Sequence, residues 1–307
     1  MRADVTVPVT PDPVSGPRPP APGQRRVEIV HHASELGRWE SAVASPHPAL
    51  RPFVREYVGG VEETYAPLCR RELPTEIAPL IVNFGAPFRM FDQSDPSRFV
   101  ELRSFVTGAF DTYALVGSTG AYACVQVNFT ILGARLFLRR PLTDLANREV
   151  ALDDVLGSFG RDLETRLHDA PTWEARFDLL DRVIMARLDP MPRVPPAVCH
   201  AWRTLVANAG QVSIAALTRE VGWSHKHFVA QFTEHIGLTP KAMARVLRFG
   251  HAAELLKVSE RGRFAEIAYE CGYYDQAHFT RDFTAFAGVN PTALLASRLP
   301  DRGGFVA

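Results

Sequence analysis

The sequence lacks any uninterrupted apolar run near the roughly 20 residues that a membrane-spanning helix needs, so no membrane partner is expected. It is also short of cysteine patterning. Cys69, Cys124, Cys199 and Cys271 lie far apart, with no C-x-x-C pair and no zinc-like spacing, and they read as small buried hydrophobes in a reducing compartment. Net charge is missing as well, because 34 Lys+Arg balance 34 Asp+Glu. That balance is unfavourable to a protein that binds nucleic acid without selectivity, though charge alone does not decide the matter. The first 26 residues hold seven of the 24 prolines and no apolar h-region, and Arg25-Arg26 is followed by the charged stretch "VEIVHHASELGRWE". Neither a secretory nor a twin-arginine signal fits. The reading is a disordered Pro-rich tail over 1–26 on a cytoplasmic protein.

What is present points to two domains in 307 residues, each long enough to bury its own core. The stretch "DPMPRVPPAV" has four prolines in ten residues; it blocks helix continuation and marks a linker over 190–198. Before it, "ELPTEIAPLIVNFGAPFRMF" and "SFVTGAFDTYALVGSTGAYACVQVNFT" read as short strands and tight turns, with alternation clearest over 122–129. Leu163, Leu167, Phe177, Leu180, Ile184 and Leu188 then recur at helical spacing. The fold class is thus α+β with two domains. A β-barrel-like domain with helices spans 27–189, an all-α domain spans 199–298, and 299–307 is a tail.

The all-α part repeats itself. Leu217 matches Ile267 and Gly222 matches Gly272 at an offset of 50 residues, while Phe228/Phe279, Phe232/Phe283, Gly237/Gly288 and Pro240/Pro291 match at 51. Each copy has a short helix (about 214–221 and 264–271), a glycine turn, a polar N-cap at Ser224 or Asp275, and a second helix. This is the pattern of a helix-turn-helix, whose second helix enters the DNA major groove; a plain helical hairpin has the same pattern. On the second helices Phe228, Phe232, Phe279, Phe283 and Phe286 face inward. Lys226, His227, Ala230 and Thr233 face outward in the first copy, and Ala277, His278, Arg281 and Thr284 do so in the second. Arg281 has the strongest chemical case, since a guanidinium donates two parallel hydrogen bonds to guanine O6 and N7. His225-x-His227 directs its rings to different faces, so no metal site is expected there and no cofactor is implied.

Between the copies, Ala242, Val246, Phe249, Ala253 and Leu256 recur at spacings of three and four, which predicts one amphipathic helix of about 17 residues. A rod of that size separates the two second helices enough for successive major grooves. Lys241, Arg245 and Arg248 on it, with Ser224 and Tyr274 at the turns, are candidate phosphate contacts; a solvated polar face is the alternative.

With Gly222, Ser224, Phe232, Gly237, "TP" at 239–240, "AAELL" at 252–256, "IAYECGYYDQAHFTRDF" at 267–283 and "GVNP" at 288–291, residues 200–297 resemble the AraC/XylS family of transcription regulators. The resemblance implies two helix-turn-helix units on a long helix and sequence-specific binding of double-stranded promoter DNA, with transcription adjusted (activation included) through RNA polymerase. By position it puts base readers at Lys226, Val229, Ala230, Ala277, His278 and Arg281. Many family members carry arginine where Ala230 stands. More loosely, "LRPFVREYVGG", "ELPTE", "SFVTGAF" and "TWEARFDLLDRVIMARL" are similar to effector domains of a family subgroup. That implies a cupin-like barrel, with a small-molecule effector and a second copy of the chain as candidate partners. No H-x-H…E…H metal signature appears there, and His31 and His32 read as surface residues. Phe84, Phe88, Phe105, Phe110, Tyr113 and Phe129 would line either a pocket or a plain core.

The expected function is a one-component DNA-binding regulator, without enzymatic activity. The alternative is an enzyme, such as an alkyl-transfer DNA-repair protein, built on the same DNA-binding module. It would need an activated cysteine, and "PLCRRE" around Cys69 lacks companion thiols.

Overall fold

Strand propensity and turn chemistry place eleven strands along the first half of the computed structural model, which describes residues 27–188, 194–258, 263–301 and 303–307. The expected tail 1–26 and residues 190–193 of the expected linker lie outside the described residues. In chain order the strands are β1 (Glu28–Ser34), β2 (Gly37–Ala44), β3 (Val54–Thr64), β4 (Leu68–Glu72), β5 (Ile77–Asn83), β6 (Phe88–Phe91), β7 (Phe99–Leu102), β8 (Phe105–Thr107), β9 (Ala114–Ser118), β10 (Ala121–Thr130) and β11 (Glu149–Ala151). Helix α1 (Ile131–Leu138) precedes β11, and α2 (Leu152–Leu156), α3 (Ser158–Asp169) and α4 (Trp173–Leu188) follow it.

Two antiparallel sheets result, one of seven strands in the order β1-β2-β3-β10-β5-β8-β11 and one of four in the order β4-β9-β6-β7. The period of two along β10 divides its side chains between two layers. Val125, Val127 and Phe129 belong to the large core that also holds Phe177, Leu180 and Ile184 of α4. Cys124, on the other face, joins Ile81, Phe88, Met90 and Phe105 in a smaller cluster between the sheets. Gly59 explains how α4 lies so close: a Cβ there would sit 2.4 Å from the Trp173 ring. Tyr57 adds a polar tie by donating to Asp181 of α4 at 2.8 Å.

The expected barrel is not closed, and this is a correction. β4 leaves the large sheet and pairs with β9 on one side. Its other edge is taken by the end of the chain, where Arg71 N donates to Phe305 O (2.9 Å) and Ala307 N to Cys69 O (3.0 Å). With that edge occupied, β4 has no partner strand in the larger sheet. His32 also differs from its expected place on the surface: it stacks on Trp39 at 3.8 Å and meets Asp301 at 2.9 Å.

The second half is all helix: α5 (Pro196–Ala207), α6 (Ile214–Glu220), α7 (His225–Ile236), α8 (Pro240–Val258), α9 (Phe264–Glu270), α10 (Gln276–Ala287) and α11 (Pro291–Ala296). Helix α5 begins inside the expected linker, because proline is tolerated in a first helical turn, where its missing N–H costs nothing. The 19 residues of α8 make a rod of about 28 Å. Phe228, Phe232, Phe279, Phe283 and Phe286 are all buried, and Phe249 of α8 stacks among them at 5.0 Å from Phe283 and 5.1 Å from Phe286.

Candidate nucleic-acid interface

Each second helix starts on a cap and rests on phenylalanines, which leaves its opposite side free. Ser224 Oγ accepts from His227 N at 3.3 Å, and Asp275 Oδ1 accepts from His278 N at 2.6 Å. Each satisfies an otherwise orphan first-turn N–H. The preceding turns depend on Gly222 and Gly272, whose φ values of 71° and 70° lie in the left-handed region.

On the free side, Lys226, His227 and Ala230 of α7 are exposed, with Val229 half-buried; on α10 Ala277 and Arg281 are exposed and His278 is half-buried. Among the described residues, Lys226 and Arg281 make no hydrogen bond or ion pair, so both cations are available. The histidines are more restrained: His227 sits edge-on to Trp223 at 4.6 Å and His278 edge-on to Tyr273 at 5.3 Å. The Thr233 and Thr284 hydroxyls donate to the carbonyls of Val229 and Thr280, which leaves mainly their methyl groups for a ligand. Gln231 is tied to Glu234 at 3.2 Å.

The phosphate candidates divide. Lys241 and Ser224 are exposed, and Tyr274 is 93% exposed. Arg245 instead pairs with Asp282 of α10 and lies over Phe286 at 5.0 Å. Arg248 lies 5.8 Å from the Tyr273 ring. Arg245 thereby ties α8 to α10, while Arg248 lies against the turn that precedes α10. Tyr273 is the ring packed beneath the turn, at 5% exposure.

The N-terminal domain grips both α7 and α10 at their C-terminal ends, a feature that sequence reasoning missed. Gly237, at the end of α7, packs on Leu142, and Arg135 of α1 donates to His235 Nδ1 at 3.2 Å. Burial, with Arg135 second, pushes the His235 pKa down. At the end of α10, Arg71 Nη1 donates to Ala287 O at 3.0 Å while its guanidinium lies over the Tyr113 ring at 4.6 Å. That ring presses on Gly288. The Gly237/Gly288 repeat was the available signal, but nothing in it names the opposing surface.

Between the two sheets lies a cavity of about 260 Å³, into which Phe88, Phe105 and Phe110 project. The other three expected pocket aromatics lie elsewhere: Phe84 under Arg176, Tyr113 under Arg71, and Phe129 stacked on Phe137. Arg70, Glu72 and Glu149 also line the cavity. Arg70 is committed to the buried Glu62, which accepts a further hydrogen bond from Ser118 Oγ at 3.1 Å. Burial pushes the half-buried Glu149 carboxyl up, whereas Glu72 is exposed on β4.

The comparisons follow the same division. A helix-turn-helix domain model matches residues 217–297. Residues 217–297 are thus a helix-turn-helix domain of the kind that resembles the AraC/XylS regulators. A second model, a domain of unknown function (DUF6597), matches residues 42–151. An uncharacterized HTH-type transcriptional regulator of Haemophilus influenzae is 36% identical over 69 residues, which is 22% of this chain and 23% of that protein. YbfI of Bacillus subtilis, likewise an uncharacterized HTH-type transcriptional regulator, is 31% identical over 70 residues, or 23% and 25% of the two chains. This chain thus spans about a quarter of the length of the curated relatives it matches. Among solved structures, ToxT of Vibrio cholerae aligns over 77% of this chain and 95% of its own at 11% identity and a TM-score of 0.42. The C-terminal domain of AraT, a response regulator from Geobacillus stearothermophilus, aligns over 36% and 93% at 22% identity and a TM-score of 0.32. Among the described residues, no helix is long and apolar enough to cross a membrane.

Proposed function

We propose that the chain is a one-component, sequence-specific transcription regulator. Its AraC-type domain places α7 and α10 in successive major grooves of promoter DNA, and its N-terminal domain adjusts that placement when a small molecule enters the inter-sheet cavity. The observation that carries this reading is the pair of capped helices with their unpaired cations, Lys226 and Arg281, on the free side. Lys226, His227, Val229, Ala230, Ala277, His278 and Arg281 face bases, with Arg281 the principal reader. Ser224, Lys241 and Tyr274 face phosphates. The regulator works in the cytoplasm beside RNA polymerase, and a second copy of the chain is its expected partner on longer sites.

In vitro selection of bound DNA by the full chain tests the reading. Two half-sites about ten base pairs apart are expected. Equal affinity for random and selected DNA at fixed salt would overturn it. The repair-enzyme alternative finds little support in Cys69, whose thiol pKa burial raises more than Arg71 and Arg70 lower it. A methyl group gained by any cysteine on incubation with methylated DNA, read by mass spectrometry, would revive that alternative.

A further inference from the structure

We propose that the inter-sheet cavity takes a small apolar organic cation, an amine or quaternary ammonium group carried on an aromatic or branched aliphatic body. The assignment rests on the cavity being the effector site and adds the class of molecule that fills it.

Charge accounting within the cavity leads there. Its one cation among the described residues, Arg70, is already spent. The Nη1 and Nη2 groups donate to the two oxygens of Glu62, and Nε donates to Gly303 O at 2.6 Å. Arg70 and Glu62 therefore cancel, and no free guanidinium remains for an anionic ligand. Glu72 comes from β4 of the small sheet and Glu149 from β11 of the large one, so the two carboxyls enter from opposing walls. Neither has an ion-pair partner among the described residues. Glu149 stands beside Thr107 across the β11–β8 pairing, and Glu72 beside Ala114 across β4–β9.

Glu149 is half-buried and Glu72 exposed on the β4 wall, and a ligand that fills the space takes water away from both, which is costly unless it brings a partner charge. A cation supplies that partner. The faces of Phe88, Phe105 and Phe110 add attraction for the same charge, since aromatic rings present negative π faces. A carboxylate ligand would instead meet like charge at Glu72 and Glu149, and a neutral alcohol would leave both uncompensated.

The titratable groups facing the site are Arg70, Glu62, Glu72, Glu149, Tyr122 and Cys124. Burial raises the pKa of Glu149 and Tyr122, and that of Cys124 to about 12. A bound cation favours the ionised carboxylates, so each carboxyl that ionises on binding releases one proton to solvent. Affinity must then rise with pH, by up to about tenfold per unit for each proton released, until the raised pKa is passed.

Calorimetry on the full chain with three probes of similar size provides the test: benzyltrimethylammonium, 2-phenylethanol and 3-phenylpropionate. The quaternary probe has a fixed charge, so any pH dependence belongs to the protein. It should bind at least about tenfold more tightly than the other two, tighten from pH 5.5 to 7.5, and release protons measurable by repeating the titration in buffers of different ionisation enthalpy. Glu72→Gln or Glu149→Gln should weaken it about tenfold while leaving 2-phenylethanol unchanged. The ranking of the three probes on the unaltered chain decides the matter even if a variant misfolds. If 3-phenylpropionate or 2-phenylethanol binds as tightly as the cation, the cation class is overturned and the effector site stands. If none of the three binds, the effector site falls with it.

Discussion

Gly222 and Gly288 share a φ of 71° but not their surroundings, and that pairing makes the grip on α10 measurable. A Cβ at Gly222 meets nothing within 4 Å. Gly222→Ala should therefore cost only the left-handed backbone strain, roughly 1–2 kcal/mol. A Cβ at Gly288 would sit 2.4 Å from the Tyr113 ring and 2.6 Å from Arg71 Nη1. To make room the ring must leave, losing its stack under Arg71, about 0.5–1 kcal/mol, and disturbing the Arg71 bond to Ala287 O, about 1.5–3 kcal/mol for a charged donor. Gly288→Ala should thus cost about 2–4 kcal/mol more than Gly222→Ala, since the strain is common to both. Native-state hydrogen exchange at buried amides of α7 and α10 reads each opening free energy separately and needs no assumption that two domains unfold together. In a Tyr113→Ala background the excess at Gly288 should shrink, because the partner is already gone. Equal costs for the two alanines in the otherwise unaltered chain would refute the grip.

Three further outcomes follow from the same coordinates. Arg281→Ala should weaken binding to selected DNA by about 1–3 kcal/mol and relax one base position; uniform weakening on all sequences would make Arg281 a phosphate contact. Phe283→Ala removes a ring that is 0% exposed and should cost about 3–5 kcal/mol, read by chemical denaturation; an unchanged transition would refute its place in the core. His235 is held below its ordinary pKa of about 6.5, so its contribution is intact above that value. It is lost as pH falls towards the folded pKa, where the unfolded chain takes up the proton first. Denaturation midpoints should therefore drop between pH 7 and 5, and His235→Gln should flatten part of that slope.

The helical half was the more legible in sequence because its signals are local and doubled. Phe228 and Phe279, the caps Ser224 and Asp275, and the turn glycines each recur with their neighbours, and helix periodicity reports burial within one element. Strands β1, β2 and β3 were not read from pattern. Gly59-Gly60 interrupts β3, and its glycine serves the Trp173 ring more than a hundred residues away. Barrel closure was likewise beyond reach, since it turns on residues 305–307 taking the free edge of β4. The helical wheel that makes Arg245 and Arg248 candidate phosphate contacts does not show Asp282 of α10 and Tyr273 of the preceding turn beside them. The cavity carboxyls were missed for the same reason. Period two puts Arg70 and Glu72 on one face of β4 but cannot say what faces them.

On the proposed function, a grip on the reader helices at their C-terminal ends gives the N-terminal domain leverage over how they meet DNA. Each reader has 12 residues, or about 18 Å, with Lys226 and Ala277 near the far, N-terminal ends. A tilt of about 10° at the grip moves such an end by about 3 Å, close to the roughly 3.4 Å rise of one base pair. The seam through α8 resists independent movement of α10, because Arg245–Asp282 and the Phe249 stack tie the two helices. Relative movement of the readers must then be imposed from outside the seam. On the proposed function, β4 is the element placed to impose it. Arg70 and Glu72 on one of its faces border the cavity, and Arg71 on the other holds the end of α10. A ligand that draws Glu72 inward pulls on the strand that carries Arg71, and a displacement of about 3 Å at the far end is enough to change which base step Ala277 meets, with about half of it reaching Arg281 at mid-helix.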